Sequence, residues 1–361
     1  MPEKEKVLIA MSGGVDSSVA ALLMLEQGFD CIGCTMKLFD NEDACLPREH
    51  SCCSLEDVDD ARSVCRRLGI PHYVFNYKDS FHDAVIRPFV ESYQRGQTPN
   101  PCIDCNRCLK FGKLYERAAL LGCRYVVTGH YARIEEEDGR FVLKKAVDET
   151  KDQSYVLYDL GPEQLKKTRF PLGSLRKEEV RRIAEAHGFI NASKPDSQDI
   201  CFVPDGDYAA VIAAHSDTLP PPGDFVDTDG RVLGRHRGII HYTIGQRRGL
   251  GIAAAQPLYV CAIRPEDNAV VLGPKEALFS DTARVCALNW CSGEAPTEPL
   301  RCRVRIRYRH PEQPATLIPL PEGRVRIAFD EPQRAITPGQ AAVFYQEDRV
   351  LGGGRLEISS I

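Results

Sequence analysis

The sequence predicts an α/β protein in which an N-terminal parallel-sheet domain is followed by a small central domain and a C-terminal β-barrel. Up to residue 202, short apolar runs alternate with segments of helical periodicity, the pattern of a parallel sheet covered by helices. The chain then becomes rich in Gly and Pro, and towards its end short β-like runs recur, which indicates a barrel. Because 361 residues exceed one typical core, we divide the chain at 1–202, 203–272 and 273–361.

Four strands are predicted in the N-terminal domain, and the first, KVLIAM, is apolar throughout, as in a strand covered on both faces. Ligands of parallel sheets bind at the carboxyl ends of the strands, so SGGVDSS (12–18) and TGHY (128–131) are expected at one edge. The predicted strands are 6–11, 30–39, 71–77 and 123–130. The predicted helices are 19–28, 55–69, 79–96 and 105–122.

Two further elements are predicted before residue 202. The segment 132–148 is expected to form a hairpin that turns at Asp138 and Gly139. The segment 174–189 has helical periodicity, with Ser174 as its expected N-cap. Its sequence LRKEEVRR mixes both signs of charge, which is typical of a helix face exposed to solvent.

Residues 12–18 form a glycine-rich loop between a strand and a helix. Backbone N–H groups and the helix N-terminus favour an anion there, and glycines allow its close approach. The loop lacks the Lys-Ser/Thr ending of a Walker A motif, and a plain glycine turn is the alternative. The pattern S-G-G-x-D-S-S resembles the pyrophosphatase-loop ATP-binding motif. This resemblance implies that ATP is cleaved between its α- and β-phosphates with Mg²⁺ as cofactor, and Asp16 is the candidate Mg²⁺ ligand.

The chain has 15 cysteines, and three of them form a C-x₂-C-x₂-C pattern in TPNPCIDCNRCLKFG (98–112). In a reducing compartment, grouped thiols are more often metal ligands, redox groups or nucleophiles than disulfides, whereas isolated ones pack like small apolar residues. Cys108 is expected to pack its helix against the sheet, with a spare metal ligand as the alternative. A second group is a candidate zinc site or a loop near the ATP site: Cys45, His50, Cys52 and Cys53.

Several segments occur in an order that resembles the tRNA-specific 2-thiouridylase family over nearly the whole chain. They are TPNPCIDCNRCLKFG, TGHYAR, KDQSYVLY, KPDSQDICFV, GIIHYTIGQRRGLGI, RYRH and TPGQAAVFY. The resemblance implies a Rossmann-like (adenine nucleotide alpha hydrolase-like) N-terminal domain. It also implies replacement of the C2 oxygen of the wobble uridine by sulfur in tRNAs for Lys, Glu and Gln. Adenylation would turn that oxygen into a good leaving group, AMP, which a sulfur nucleophile then displaces.

The resemblance also implies roles for individual residues. Cys105 matches the nucleophile, and Cys201 matches the cysteine that receives a persulfide from a donor protein of the cysteine desulfurase or sulfur-relay type. The implied ATP-site positions are Ala10, Met11, Ser12, Gly13, Gly14, Val15, Asp16, Ser17, Met36 and Gly129. The positions implied for the target base or the rest of the tRNA anticodon loop are Asn100, Pro101, Cys102, His130, Lys151, Asp152, Gln153, Arg307, Tyr308 and Gln340.

The cysteines leave two mechanisms open. In the first, Cys102, Cys105 and Cys201 hold three corners of a [4Fe–4S] cluster whose fourth iron binds a sulfide. In the second, a persulfide on Cys201 attacks the uridine and Cys105 closes a disulfide with Cys201.

The net charge of −5 disfavours a nucleic-acid partner, so RNA binding depends on local basic segments. GRHRGIIHYTIGQRRG is one such segment, and RCRVRIRYRH is predicted to be a strand with its arginines on one face. A solvated strand face is the alternative. The five arginines of that stripe are Arg301, Arg303, Arg305, Arg307 and Arg309.

No apolar run is long enough for a membrane span or a signal peptide, so we expect a cytoplasmic protein without membrane contact. A small-molecule ligase with a pyrophosphatase loop is the alternative function, but it leaves the grouped thiols and the arginines unexplained. A non-catalytic RNA-binding protein leaves the SGGVDSS loop unexplained.

Overall fold

The computed structural model of the chain describes residues 4–39, 55–196, 200–203 and 206–357. The candidate zinc ligands Cys45, His50, Cys52 and Cys53 lie outside these ranges. In the first half of the chain the strands are β1 (Lys6–Ala10), β2 (Asp30–Lys37), β3 (His72–Asn76), β4 (Tyr125–Val127), β5 (Ala132–Glu137), β6 (Arg140–Lys145) and β7 (Thr168–Arg169).

The predicted parallel sheet of the N-terminal domain is confirmed. Its strand order is β3-β2-β1-β4-β7, and every neighbouring pair is parallel. The apolar residues of β1 explain its central place, because Val7, Leu8 and Ile9 are fully buried between the helices on the two faces. The carboxyl ends of β1, β2 and β4 meet at one edge, which carries the 12–18 loop.

Helices are present at all five predicted positions, and two short helices at 162–166 and 208–214 were not predicted. The helices are α1 (Val15–Glu26), α2 (Leu55–Leu68), α3 (Lys78–Phe81), α4 (Arg87–Gln94), α5 (Pro101–Cys105), α6 (Leu114–Leu120), α7 (Pro162–Lys166), α8 (Lys177–Ala186) and α9 (Tyr208–Ala214). Two π-helical segments connect some of them, His82–Ile86 between α3 and α4 and Asn106–Lys113 between α5 and α6.

Three predicted helix starts differ from the structure, and the first is that of α1, which begins at Val15 instead of residue 19. The helix expected from residue 105 already begins at Pro101, because the Asn100 side chain caps it by accepting the N–H of Cys102 at 3.2 Å. The prediction of Ser174 as the N-cap of α8 is wrong, because that helix begins at Lys177. There the Glu179 carboxylate accepts the N–H of Arg176 at 2.7 Å and so closes the helix end from inside its first turn.

The remaining strands form a central sheet and a barrel. They are β8 (Gly223–Val226), β9 (Val232–His236), β10 (Tyr259–Arg264), β11 (Ala269–Gly273), β12 (Phe279–Trp290), β13 (Leu300–Arg305), β14 (Gln313–Leu320), β15 (Arg324–Arg334), β16 (Ala341–Gln346) and β17 (Arg349–Leu356). The central sheet has the order β10-β11-β8-β9. Strands β12-β15-β14-β13-β16-β17 follow one another, and the pairing of β12 with β17 closes them into the predicted barrel.

The predicted hairpin around Asp138 and Gly139 is confirmed as β5 and β6, but it does not join the N-terminal sheet. Lys144 of β6 pairs with Arg349 of β17, so the hairpin extends the sheet of the C-terminal barrel. The two domains therefore share a sheet, and this contact fixes residues 132–145 beside the barrel. None of the helices within the described ranges has the length and apolarity needed to cross a bilayer.

Candidate active site

The 12–18 loop is held in shape by its own hydroxyl groups. Ser17 Oγ accepts the backbone N–H of Ser12 at 3.2 Å and donates to the carbonyl of Gly14 at 3.0 Å. Gly13 has φ +79, and a β-carbon there would lie 2.5 Å from the backbone oxygen of Asp57. The loop can therefore adopt this path next to α2 only with glycine at position 13.

The TGHY segment after β4 lies directly against this loop. A β-carbon on Gly129 would lie 2.8 Å from the backbone carbonyl carbon of Asp16, so glycine is what allows the two chain segments to touch. Met36 lies near the carboxyl end of β2, at the same edge of the sheet. The structure therefore brings Met36 and Gly129 to the edge that carries residues 10–17, as the resemblance implies for one nucleotide site.

The carboxylate of Asp16 is the centre of a polar network at this edge. Lys177 Nζ lies 2.7 and 2.8 Å from its two oxygens, and the hydroxyl of Tyr131 donates to it at 2.8 Å. Burial and the neighbouring Asp16 carboxylate raise the pKa of Tyr131, which stays a protonated donor. Because the Asp16 side chain is about one third exposed, it can supply an oxygen to Mg²⁺, which proteins bind through one or two carboxylates together with substrate phosphates.

Lys177 contradicts the prediction of a solvated face on α8. Its side chain is only 10% exposed, and its ammonium also pairs with Asp196 at 2.8 Å. Asp196 in turn pairs with Lys151 at 2.8 Å and with Arg181 at 2.9 Å. Partial burial raises the pKa of Asp196, but hydrogen bonds from Lys151 and Lys177 outweigh it and lower this pKa to about 2.

The segment that precedes Cys201 is fastened to the nucleotide loop. Asn191 Nδ2 donates to the carbonyl of Gly13 at 2.8 Å and to Ser18 Oγ at 2.9 Å. Lys194 Nζ binds Asp57 at 2.6 Å and Asp60 at 2.8 Å on α2. These contacts tie the chain that leads to Cys201 to both sides of the loop.

The cysteines of the 98–112 segment do not share one environment. Cys105 is buried and packs in an apolar cluster with Phe81, Phe89 and Phe202, and the half-buried Cys108 and Cys201 pack against the same cluster. Cys102 packs instead against a second cluster, which contains Tyr155 and Tyr345. The structure therefore brings Cys105 and Cys201 to one core and leaves Cys102 at another.

This division decides whether the residues fit an iron–sulfur cluster. Within the described ranges, no three His, Cys, Asp or Glu side chains are grouped so that they could hold a metal ion. Cys102, Cys105 and Cys201, the ligands predicted for a [4Fe–4S] cluster, thus do not form its site in this structure, because α5 turns Cys102 towards a different core from Cys105.

Asp104 fixes this helix to the barrel. It is 5% exposed and binds Arg107 at 2.7 Å and Arg355 of β17 at 2.5 Å. At the other end, Gln340 Nε2 donates to the carbonyl of Thr98 at 2.8 Å. The barrel therefore holds the segment 98–105 from both sides.

The residues implied for tRNA contact lie in two neighbouring groups. His130 is buried beside Phe111, with Thr128 Oγ1 2.6 Å from Nδ1 and Lys110 Nζ 3.5 Å from Nε2. Burial and the nearby Lys110 hold the pKa of His130 well below its usual value, so its ring is neutral at pH 7. Gln153 Oε1 accepts the N–H of Tyr131 at 2.9 Å.

The second group surrounds Asp152, which is buried and accepts hydrogen bonds from Ser154 Oγ at 2.8 Å and the N–H of Ala146 at 3.1 Å. The hydroxyl of Tyr308 donates to the carbonyl of Asp152 at 3.4 Å. Arg307 NH2 donates to Thr337 Oγ1 at 2.9 Å and to the carbonyl of Ala335. These side chains therefore already have partners within the protein.

The predicted stripe of five arginines is wrong in part. Strand β13 ends at Arg305, since its pairing with β16 stops there, and the chain then turns so that the N–H of His310 binds the carbonyl of Arg307. Arg307 and Arg309 consequently lie beyond the strand. The arginines on the strand pair with acids: Arg301 with Asp330, Arg303 with Glu312, and Arg305 with Asp152 and Glu312.

Sequence reasoning missed Lys177, Tyr131 and Asn191. Tyr131 lay in the TGHY segment that was expected at this edge, but its contact with Asp16 was not predicted, and Asn191 gave no local signal, because each depends on a partner more than 100 residues away. Lys177 lay in a run of charges with nothing to separate it from Arg176, and only the packing of α8 on α1 selects it. Asp16 and Lys151 were predicted site residues, and Asp196 lay inside the quoted KPDSQDIC segment without being singled out.

Three family models together match most of the chain. The tRNA methyl transferase HUP domain matches residues 5–205, the tRNA methyl transferase PRC-barrel domain matches residues 211–274, and the aminomethyltransferase beta-barrel domain matches residues 280–356.

Curated relatives match over the full length. The tRNA-specific 2-thiouridylase MnmA of Acetivibrio thermocellus is 50% identical over 357 residues, which cover 98% of this chain and 99% of the relative. The tRNA-specific 2-thiouridylase MnmA 1 of Thermoanaerobacter sp. (strain X514) is 51% identical over 360 residues, which cover 99% of each chain. The tRNA-specific 2-thiouridylase MnmA of Clostridioides difficile is 49% identical over 357 residues, with 98% and 99% covered.

Proposed function

The chain belongs to the tRNA-specific 2-thiouridylase family, and we propose that it activates the wobble uridine of tRNA with ATP and replaces its C2 oxygen by sulfur through Cys105 and Cys201. One observation carries this proposal. The TGHY segment touches both halves of the site, because Gly129 packs on Asp16 of the nucleotide loop while His130 lies beside Lys110 and Phe111 of the cysteine-bearing helix.

The first half-reaction needs a bound triphosphate. The N–H groups of the 12–18 loop and the N-terminus of α1 bind the phosphates, while the hydroxyls of Ser12 and Ser17 hold the loop in shape through their own hydrogen bonds. The uridine C2 oxygen attacks the α-phosphorus, an O–P bond forms, and the bond to the β-phosphate oxygen breaks to release pyrophosphate. Mg²⁺, with Asp16 among its ligands, supplies charge neutralisation for the leaving phosphates when it is bound.

The second half-reaction is the relay, since the predicted cluster ligands do not gather. A donor protein leaves a persulfide on Cys201, and its terminal sulfur attacks C2 and displaces AMP. The Cys105 thiolate then attacks the Sγ of Cys201, which breaks the S–S bond and releases 2-thiouridine. A Cys105–Cys201 disulfide remains, and a thiol reductant must reopen it before the next turnover. The shared apolar cluster of the two cysteines supports this pairing.

The tRNA side of the site is proposed on the same basis. Asn100, Pro101 and Cys102 would border the target base, and Lys151 would contact the anticodon loop, with the remaining implied positions His130, Asp152, Gln153, Arg307, Tyr308 and Gln340 around them. A wobble base must leave its stack to reach such a site. We assign catalysis to residues 1–202, tRNA contact to 203–272 and the barrel to 273–361, and place the reaction, on tRNAs for Lys, Glu and Gln, in the cytoplasm.

The test is in vitro thiolation of unmodified tRNA with Mg·ATP and a cysteine desulfurase that loads persulfide from cysteine. Thiolated tRNA is retarded on a mercury-containing gel, and we expect Cys105→Ser and Cys201→Ser to abolish that band. Cys108→Ser is the matched control, because Cys108 packs against the same cluster, and it should retain the product. Pyrophosphate release that needs no RNA would instead favour a small-molecule ligase, and a thiolated product from Cys201→Ser would refute the relay.

A further inference from the structure

We propose that Lys177 is a triphosphate-binding residue, which exchanges its contact with Asp16 for the β- and γ-phosphates of ATP and stabilises the departing pyrophosphate. This inference rests on the proposed use of ATP at the 12–18 loop. It assigns a role to a residue that lies outside every motif of the nucleotide site, on a helix that begins 161 residues after Asp16.

Lys177 and Mg²⁺ compete for the same carboxylate, that of Asp16. Lys177 Nζ lies 2.7 and 2.8 Å from the two oxygens of Asp16, so it covers both atoms that Mg²⁺ would use. A divalent cation and an ammonium repel each other and cannot share that contact at close range. When Mg·ATP engages Asp16, the ammonium of Lys177 must therefore move, and the nearest uncompensated negative charge is the triphosphate itself.

The Lys177 side chain can move its ammonium while its backbone stays fixed. The backbone N–H of Lys177 donates to Asp148 Oδ2 at 3.0 Å, which anchors the base of the side chain at the first residue of α8. Its four-carbon stem is flexible, and its compact ammonium needs no fixed plane of approach. The ammonium also lies 5.6 Å from the centre of the Tyr131 ring, so its surroundings stay favourable for a cation as it shifts.

The two carboxylates that Lys177 contacts keep other hydrogen-bond partners when its ammonium moves. Asp196, the second carboxylate on Lys177, keeps Lys151 at 2.8 Å and Arg181 at 2.9 Å. Asp16 keeps the hydroxyl of Tyr131 at 2.8 Å. The exchange leaves no buried charge without a partner. The main free-energy penalty of breaking a buried ion pair is therefore absent.

The triphosphate needs a positive charge in addition to that of Mg²⁺. Mg²⁺ neutralises only part of the triphosphate, and negative charge grows on the pyrophosphate as the bond to the α-phosphorus breaks. A lysine that contacts these phosphates stabilises the transition state more than the ground state. AMP lacks the β- and γ-phosphates, so this lysine does not strengthen its binding.

This difference between ATP and AMP gives the test. Calorimetric titration with Mg·ATP and with AMP measures both dissociation constants for the wild type and for Lys177→Met. Since a hydrogen bond to a charged group is lost, we expect the variant to bind ATP roughly 10- to 100-fold more weakly while its AMP affinity is retained. Lys144→Met is the matched control, because Lys144 is also a little-exposed lysine between carboxylates but lies on the barrel hairpin, and it should bind both nucleotides normally.

Lys177→Arg keeps the test sharp if the methionine variant does not fold. The guanidinium preserves the charge but not its compact shape, so we expect the arginine variant to prefer ATP over AMP less strongly than the wild type does. An equal loss of ATP and AMP binding in both variants would show that Lys177 only shapes the loop, and unchanged ATP binding would show that it only neutralises Asp16. Either result overturns the proposal. A wild-type protein that binds neither nucleotide would refute the proposed function itself.

Discussion

Asp196→Asn tests how strongly the polar network fastens the chain that leads to Cys201. The substitution keeps the size of the side chain but removes the charge that Lys151, Lys177 and Arg181 share. In the folded protein these contacts lower the pKa of Asp196 from 3.8 to about 2. That difference corresponds to roughly 2 kcal/mol of stability at neutral pH, because the folded state favours the charged carboxylate by that amount. The side chain is 22% exposed, so solvent screening is limited.

The direction of the Asp196 pKa shift determines how the unfolding free energy depends on pH. A carboxyl group whose pKa is lowered on folding contributes its full stability above the unfolded-state value of 3.8 and loses it as the pH falls from about 4 towards about 2. The difference in unfolding free energy between wild type and variant should therefore stay close to roughly 2 kcal/mol from pH 7 to just above pH 4 and shrink only below it.

Urea unfolding followed by far-UV circular dichroism measures this difference, since most helices lie in the N-terminal domain. The single tryptophan, Trp290, lies on β12 of the barrel, so its fluorescence reports separately on a region that the substitution does not touch. Asp267→Asn is the control, because its pair with Arg264 is a half-exposed surface pair expected to contribute less than about 1 kcal/mol. A loss below about 0.5 kcal/mol, or one that already disappears between pH 7 and pH 5, would refute the reasoning.

Substitutions at Gly13 and Asp104 and the labelling of buried thiols test other close contacts of the structure. Gly13→Ala should abolish ATP binding in calorimetry, because its β-carbon would lie 2.5 Å from the backbone oxygen of Asp57 at a positive φ; normal affinity would contradict the described loop. Asp104→Ala should destabilise the protein by about 1–3 kcal/mol in urea unfolding, because the half-exposed Arg107 and Arg355 lose charged hydrogen bonds to a buried carboxylate, and an unchanged midpoint would argue against that anchor. Burial raises several thiol pKa values to about 12, so mass spectrometry of the native protein after iodoacetamide at pH 8 should find these cysteines unmodified, whereas labelling would contradict their burial: Cys65, Cys291 and Cys302.

The sheet of the N-terminal domain was predictable because each of its strands is specified by residues that are adjacent in the sequence. An unbroken apolar run such as Val7, Leu8 and Ile9 can be stable in water-free surroundings only as a central strand, and the glycine-rich loop that follows marks the strand end. The hairpin of β5 and β6 was predicted from its turn for the same reason. Its attachment to β17 was not predictable, because the pairing of Lys144 with Arg349 joins residues 205 positions apart through backbone groups that any sequence possesses.

The nucleotide site shows the same limit at the level of single side chains. Glycine at positions 13 and 129 is visible in the sequence, but the close contacts that require it, with Asp57 and Asp16, appear only in the structure. Lys177 was predicted to face solvent because the mixed charges of LRKEEVRR describe a whole helix face and do not distinguish one lysine on it. Its low exposure accompanies ion pairs with Asp16 and Asp196 and the packing of α8 on α1, and such contacts with distant residues leave no periodic signal.

The cysteine pattern illustrates how a helix can separate residues that the sequence groups together. In an α-helix, residues three apart lie near one face, so C-x₂-C-x₂-C favours three adjacent thiols. Here Cys102 and Cys105 lie three apart on the short helix α5, and the π-helix begins only at Asn106, so the two clusters that pack against α5, and not the π-helix, separate these thiols. Cys105 and Cys108 remain on the apolar cluster that also receives Cys201, while Cys102 faces the aromatic cluster of Tyr155 beside the barrel. The sequence could not indicate which of these thiols pack together, because the clusters that separate them are built from residues distant in the chain.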